Sequence, residues 1–172
     1  LRDLNFKRYL GSYSKEEQIE VIKIAKEDWE KAFGFSPKTF RAGHGSANDY
    51  TYPIIYELGF RQSSMCFPGR NLPNIYAVWV NAYPYPHHVD PNNRLIQGNL
   101  ELYEIPITVS RKVKADFPLD LRVEAGCSLE DHRETVESNV REMLQLKLPV
   151  KAIVALTHNT ERFLEHVNVL KF

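Results

Sequence analysis

Three side chains able to move protons or hold charge stand at the ends of predicted strands in this chain. Arg41 closes the stretch KTFR, Glu124 lies in LRVEAG, and His158 directly follows KAIVALT. In α/β folds the chemistry gathers outside the carboxyl ends of strands, so a cation, a carboxylate and an imidazole from distant segments can meet there. A histidine held by a carboxylate keeps its charged form more readily, which suits a general acid near neutral pH. An arginine can grip a carboxylate through two parallel bonds and keep it ionised. Backbone N–H groups in the Gly43-His44-Gly45 turn can point at a developing oxyanion. Together these make most of an acyl-transfer site. Each has a plainer alternative: a structural salt bridge for Arg41, a helix cap for His158, a solvated surface position for Glu124.

Other chemistry-bearing residues point less clearly. His87, His88 and Asp90 have the types of a metal cluster, but adjacent histidines seldom chelate one ion, and the surrounding Pro/Asn-rich stretch reads as a solvated loop. His132 and His166 fall in helical patterns and are expected to be exposed. Ser63-Ser64 lacks the context of a nucleophile elbow. Cys66 and Cys127 are too few for a disulfide framework and have no histidine signature beside them, so a reducing, cytoplasmic compartment is expected.

The elements that would position these groups follow from periodicity and caps. Ser14 and Glu17 form a capping box ahead of a helix over 14–32, with Ile19, Ile22, Ala25, Trp29 and Phe33 at helical spacing and Gly34 as its stop. A strand over 38–43, a helix capped by Asn48 or Asp49, and a strand over 60–64 predict a βαβ unit. The stretch 65–100 carries five prolines and the aromatics Tyr76, Trp79, Tyr83 and Tyr85. A loop this long in a compact domain is usually functional. Strands follow over 101–108 and 121–126. Ser128 and Asp131 then cap a helix to about Lys147, whose inward residues are expected to be Leu129, Val136, Val140 and Leu144. The apolar run 151–157 reads as a strand buried on both faces of a parallel sheet, and a last helix starts at Asn159 or Thr160. Strands alternating with helices imply an α/β fold with parallel strands.

With 172 residues and no repeat or linker, residues 1–172 read as a single domain. The formal net charge is zero, and no basic stripe favours a nucleic-acid partner. No apolar run approaches the roughly 20 residues of a membrane span, and no signal peptide is visible. The chain starts at Leu1 and ends at Phe172 inside a helical pattern, so both ends are expected to be cut.

The order TFRAGHGS, then YPIIYELGFRQSS, then YEIPIT, then Leu156-Thr157-His158 resembles the polysaccharide deacetylase family, the NodB-like carbohydrate esterases of family four. The resemblance covers most of the chain and is weak over 65–100 and 109–120. It implies a partial (β/α) barrel and a metal-dependent removal of N-acetyl groups from an amino sugar of a polysaccharide or glycan precursor. Under it, Arg41 would tether the catalytic-base aspartate and His158 would protonate the leaving amine. Glu124 would orient His158, and the turn at His44 and Gly45 would serve the oxyanion. Leu156 would line the acetyl pocket and Trp79 would wall the sugar site. Gly43 departs from the family's proline. The family's Asp-Asp pair and His-x-x-x-His run, which carry the base and a divalent metal (usually zinc), have no counterpart in this sequence. The metal ligands are therefore expected outside this chain. Two other readings stay open: a non-catalytic carbohydrate binder using Trp79 and the tyrosines as a stacking floor, and a structural α/β piece completed by a partner.

Overall fold

The computed structural model describes residues 6–114, 117–122 and 128–157. Helix α1 spans Lys15–Phe33, and both halves of the Ser14/Glu17 capping box form. Gly34 closes it in the left-handed conformation, φ 74°, with its N–H donated to the Glu30 carbonyl. Such a residue terminates a helix at no steric cost only when it lacks a Cβ. The predicted inner stripe holds only in the first half. Gln18 and Ile22 are buried, whereas Trp29 is 41% and Phe33 58% exposed. They stack on each other, ring centroids 4.3 Å apart, with Phe35 beside them.

The β-structure, in chain order, is β1 (Thr39–Phe40), then after helix α2 (Thr51–Glu57) β2 (Gln62–Ser63), β3 (Asn71–Leu72), β4 (Ala77–Val78), β5 (His87–His88), β6 (Tyr103–Glu104), β7 (Val109–Lys114) and β8 (Phe117–Asp120). β1, β2 and β6 run parallel, with β5 antiparallel at the far edge, in the order β1-β2-β6-β5. The predicted βαβ unit is thus β1-α2-β2. β3 pairs β4 and β7 pairs β8 as separate antiparallel ribbons. The fold is a mixed α/β arrangement around a parallel sheet, and no closed barrel forms among the described residues.

α2 is entered differently from expectation. Asn48 does not cap it as N-cap; it makes a turn in which its Oδ1 accepts the Tyr50 N–H at 3.1 Å. The same oxygen accepts from Gln18 Nε2 at 2.9 Å, while Asn48 Nδ2 donates to the carbonyls of Gly11 and Tyr13. One side chain therefore ties the amino-terminal turn, α1 and α2.

Helix α3 spans Leu129–Gln145 behind the predicted Ser128/Asp131 capping box. Its buried face is not the predicted one. Thr135, Asn139 and Met143 point inward, while Leu129, Val140 and Leu144 are exposed. The helix docks through a hydrogen bond rather than an apolar stripe, since Asn139 Nδ2 donates to the Val109 carbonyl at 3.0 Å. Polar residues that dock through buried hydrogen bonds leave no mark in a hydrophobic pattern.

The run 151–157 also departs from expectation. It lies beside the chain at Thr108 and Leu121, with the Thr108 N–H donated to Val154 O and the Leu156 N–H to Leu121 O. Leu156 bridges Arg122 in parallel. Burial alternates along it, with Ala152, Val154 and Leu156 half-buried and the residues between them exposed, so one face is covered rather than two.

The long 65–100 stretch supplies core. Trp79 and Val89 are wholly buried alongside Ile54, Ile55, Met65, Leu102 and Ile107, and Tyr85 is nearly so. Each such side chain contributes about 1.5–3 kcal/mol of burial. At the centre sits a carboxylate. Glu104 of β6 is fully buried, and its Oε1 accepts the N–H groups of Met65 and Cys66 at 3.0 and 2.9 Å. This pins the chain where it leaves β2. Burial pushes the Glu104 carboxyl above its ordinary 4.5, opposed by bonding from Ser63, Cys66, Tyr52 and Met65, although its Oε2 has no well-aligned partner. A carboxyl raised in the folded state binds protons that the unfolded chain has already lost, so its contribution to stability falls as pH rises from about 4.5. Glu104→Gln keeps an acceptor for both amides and removes the titration. Chemical denaturation from pH 4 to 7 should therefore show wild-type stability falling relative to the variant; parallel curves would refute this ionisation.

Candidate functional site

The strand end at Arg41 leads into a tight turn whose backbone requires glycine. His44 and Gly45 both have positive φ, 60° and 68°. A Cβ on Gly45 would stand 2.5 Å from Phe67 Cδ2 and 2.8 Å from the Met65 carbonyl. The turn is fixed by two donors from the 65–100 stretch. Trp79 Nε1 donates to the Gly45 carbonyl at 2.8 Å, and Arg70 Nη1 to the His44 carbonyl at 3.0 Å. Within the turn the Gly45 N–H is already donated to Ala42 O, and that of Ser46 to Gly43 O. Gly45 therefore has no N–H left for an oxyanion; Gly43 and His44 are the turn's candidates for that role.

Trp79 needs a larger correction. Expected as the wall of a sugar site, it is 0% exposed and lies under the turn, so its ring offers no face to a ligand. Tyr85 is likewise buried, which leaves Tyr76, exposed, and Tyr83, half-buried, of the proposed stacking floor.

A cleft of about 460 Å³ opens beside the turn. Residues 41–45 contribute to its wall, as do Phe67 and Arg70, and as do Arg122, Leu156 and Thr157. Arg41, His44, Gly45 and Leu156, expected to share one site, thus line one cavity. Glu124 and His158 lie outside the described residues, as do Cys127 and His166. Thr157 on the cleft wall is the residue immediately before His158.

Charge in the cleft is uneven. Asp120 Oδ2 accepts from Arg70 Nη2 at 3.2 Å and from Arg122 Nε and Nη2 at 3.2 and 2.5 Å. Arg70 is nearly buried and lies over Phe67, its guanidinium carbon 3.4 Å from the ring centroid. Burial pushes its pKa down to about 10; Asp120 opposes that and Arg122 adds to it. It remains a cation at neutral pH. Arg41 is exposed and donates to Ser64 Oγ at 2.8 Å, and no carboxylate among the described residues pairs with it. His132 is half-buried rather than exposed; its Nε2 lies 2.9 Å from the Arg122 carbonyl, a bond that needs that nitrogen protonated.

Asp120, Arg70, Arg122 and Ser64 were not anticipated. Asp120 and Arg122 did carry a signal, since residues two apart on an extended chain share a face. Arg70, following Pro68-Gly69, carried none.

No group of three or more His, Cys, Asp or Glu side chains able to hold a metal exists among the described residues. The described residues therefore do not fit the divalent metal that the resemblance implies. His87 and His88 are not in a solvated loop. They occupy β5, where neighbours face opposite ways, with His87 buried and His88 exposed. Their Nδ1 atoms lie 2.6 and 2.9 Å from the carbonyls of Tyr85 and Leu100. Cys66 is buried, and its thiol is pushed up by that burial and by Glu104, which argues against a nucleophile.

Removing the carboxylate between two arginines leaves a buried cation unpaired. Asp120→Ala should lower the unfolding free energy by about 3 kcal/mol or more, measured by denaturant titration. A loss under about 1 kcal/mol, the range of an exposed pair, would contradict this arrangement.

No family model matches the chain, and no curated protein matches it. A crystal structure described as that of a "putative polysaccharide deacetylase from Mycobacterium smegmatis" is similar over 95% of this chain, with a TM-score of 0.49 and 14% sequence identity. The chain spans 52% of the length of that structure.

Proposed function

We propose that this chain forms part of a hydrolase of the polysaccharide deacetylase type, acting on the N-acetyl group of an amino sugar. On this reading the parallel sheet is a segment of a (β/α) barrel and the cleft beside the Gly43–Gly45 turn receives the acetamido group. The observation that carries the reading is the shared cleft. Arg41 and the Leu156-Thr157 pair, 115 positions apart by the difference of 156 and 41, wall the same cavity. That is what the family resemblance requires of its Arg and Leu-x-His segments.

The roles follow from the chemistry of each group. His158 protonates the leaving nitrogen, and amide cleavage needs that proton because an amide anion is a very poor leaving group. Glu124 orients His158. Arg41 holds the carboxylate of the general base in its ionised form. Leu156 packs on the acetyl methyl. On this reading the metal ligands and the base come from outside this chain, and a divalent metal held there would supply Lewis-acid polarisation of the carbonyl. The glycan-binding alternative loses Trp79 and Tyr85, which are buried, and keeps Tyr76, which is exposed.

The test is acetate release from N-acetylglucosamine oligomers by the full-length protein supplied with zinc. His158→Ala should lower kcat about 100- to 10,000-fold with KM little changed. Undiminished turnover in that variant, or no acetate from the wild type, would overturn the proposal.

A further inference from the structure

Among the described residues, the cleft wall carries three guanidinium groups, and one carboxylate is bonded to them. Arg41, Arg70 and Arg122 all contribute to its wall. Among the described residues the one carboxylate bonded to any of them is Asp120, which two of them share. The three positive charges on the cleft wall are therefore matched, among the described residues, by one paired carboxylate. With a formal net charge of zero, the chain as a whole is not basic.

The arrangement is also built to keep those cations in place. Arg70 is consumed: it donates to the His44 carbonyl and Asp120 and lies on the Phe67 ring. Arg122 is held along one side only. Its Nε and Nη2 grip Asp120, its side chain is about a quarter exposed, and no bond engages its Nη1 among the described residues. Arg41 is similarly open beyond its single bond to Ser64. A guanidinium tethered at one edge presents its other edge in a fixed plane, the geometry that receives a carboxylate. Phe67, Ala42 and Leu156 supply apolar wall beside it, as a cavity of this size needs to take an organic ligand rather than a bare ion.

We propose that the cleft takes an acidic glycan, with Arg122 binding a carboxylate carried on, or linked next to, the N-acetylated sugar. Asp120 acts as a positioning residue that sets the plane of Arg122. This rests on the deacetylase reading for the sugar, and on the cleft's own charge for the carboxylate.

The test is calorimetric titration of the full-length protein with three probes. They are a tetrasaccharide alternating N-acetylglucosamine and glucuronate, the same tetrasaccharide with its carboxyls reduced to alcohols, and inorganic phosphate. The acidic form should bind roughly tenfold to a hundredfold more tightly than the reduced form, and the difference should shrink with added salt. Arg122→Gln should abolish most of that difference while leaving the reduced form's affinity unchanged, and Arg122→Lys should restore part of it. Should Arg122→Gln fail to fold, Arg41→Gln, at an exposed position, should also narrow the difference. Equal affinity for the two tetrasaccharides would overturn the proposal. So would competition by phosphate at matched concentration, which would mean an anion site without sugar selectivity. Selective binding without acetate release would sink the catalytic reading and leave this one; acetate release without selectivity would do the reverse.

Discussion

The cleft depends on the carboxylate of Asp120. It neutralises Arg70, and Arg70 in turn holds the His44 carbonyl from below. Trp79 does the same for the neighbouring Gly45 carbonyl. The turn has two consecutive residues in the left-handed region, a conformation that costs energy at His44 and survives only where surroundings over-determine it. Two inward donors on adjacent carbonyls supply that determination. The loop after β2 and the end of β8 are thereby joined to the loop after β1.

A second carboxylate does comparable work inside the sheet. Strands of two residues give little ladder to hold a register, and each of β1, β2, β5 and β6 is that short. Glu104 compensates by reaching across to two consecutive amides beyond the end of β2. The parallel pairing of β2 with β6 is thus reinforced by a side chain, beside the backbone bond from the Ile107 N–H to the Cys66 carbonyl. Buried acceptors used in this way are costly if left unpaired, which ties the β2 exit and β6 into one unit.

Much of the scaffold was legible from local rules. Both capping boxes, at Ser14/Glu17 and Ser128/Asp131, formed as their spacing required, because the bonds involved lie within four residues. The β1-α2-β2 unit followed from periodicity. What failed was the reading of which faces are covered. Trp29 and Phe33 continue an apolar stripe yet meet solvent, and α3 buries Asn139 where a leucine face was expected. Such outcomes depend on neighbours distant in sequence. For the site, Arg41, His44, Gly45 and Leu156 were brought to one cavity, whereas Trp79 was misassigned because an aromatic in a Pro-rich stretch looks like a ligand wall whether or not a core claims it. The Arg70–Asp120 pair was not legible, since an ion pair 50 residues apart has no local signature.

The burial of Trp79 beneath the turn has an optical consequence. The chain has two tryptophans, and the other, Trp29, is 41% exposed on α1. An indole in a dry interior emits at shorter wavelength and is shielded from dissolved quenchers, while a hydrated one is not. Quencher-resistant emission from this protein therefore originates from the ring hydrogen-bonded to Gly45, and its intensity is an intrinsic gauge of whether the floor of the cleft is intact.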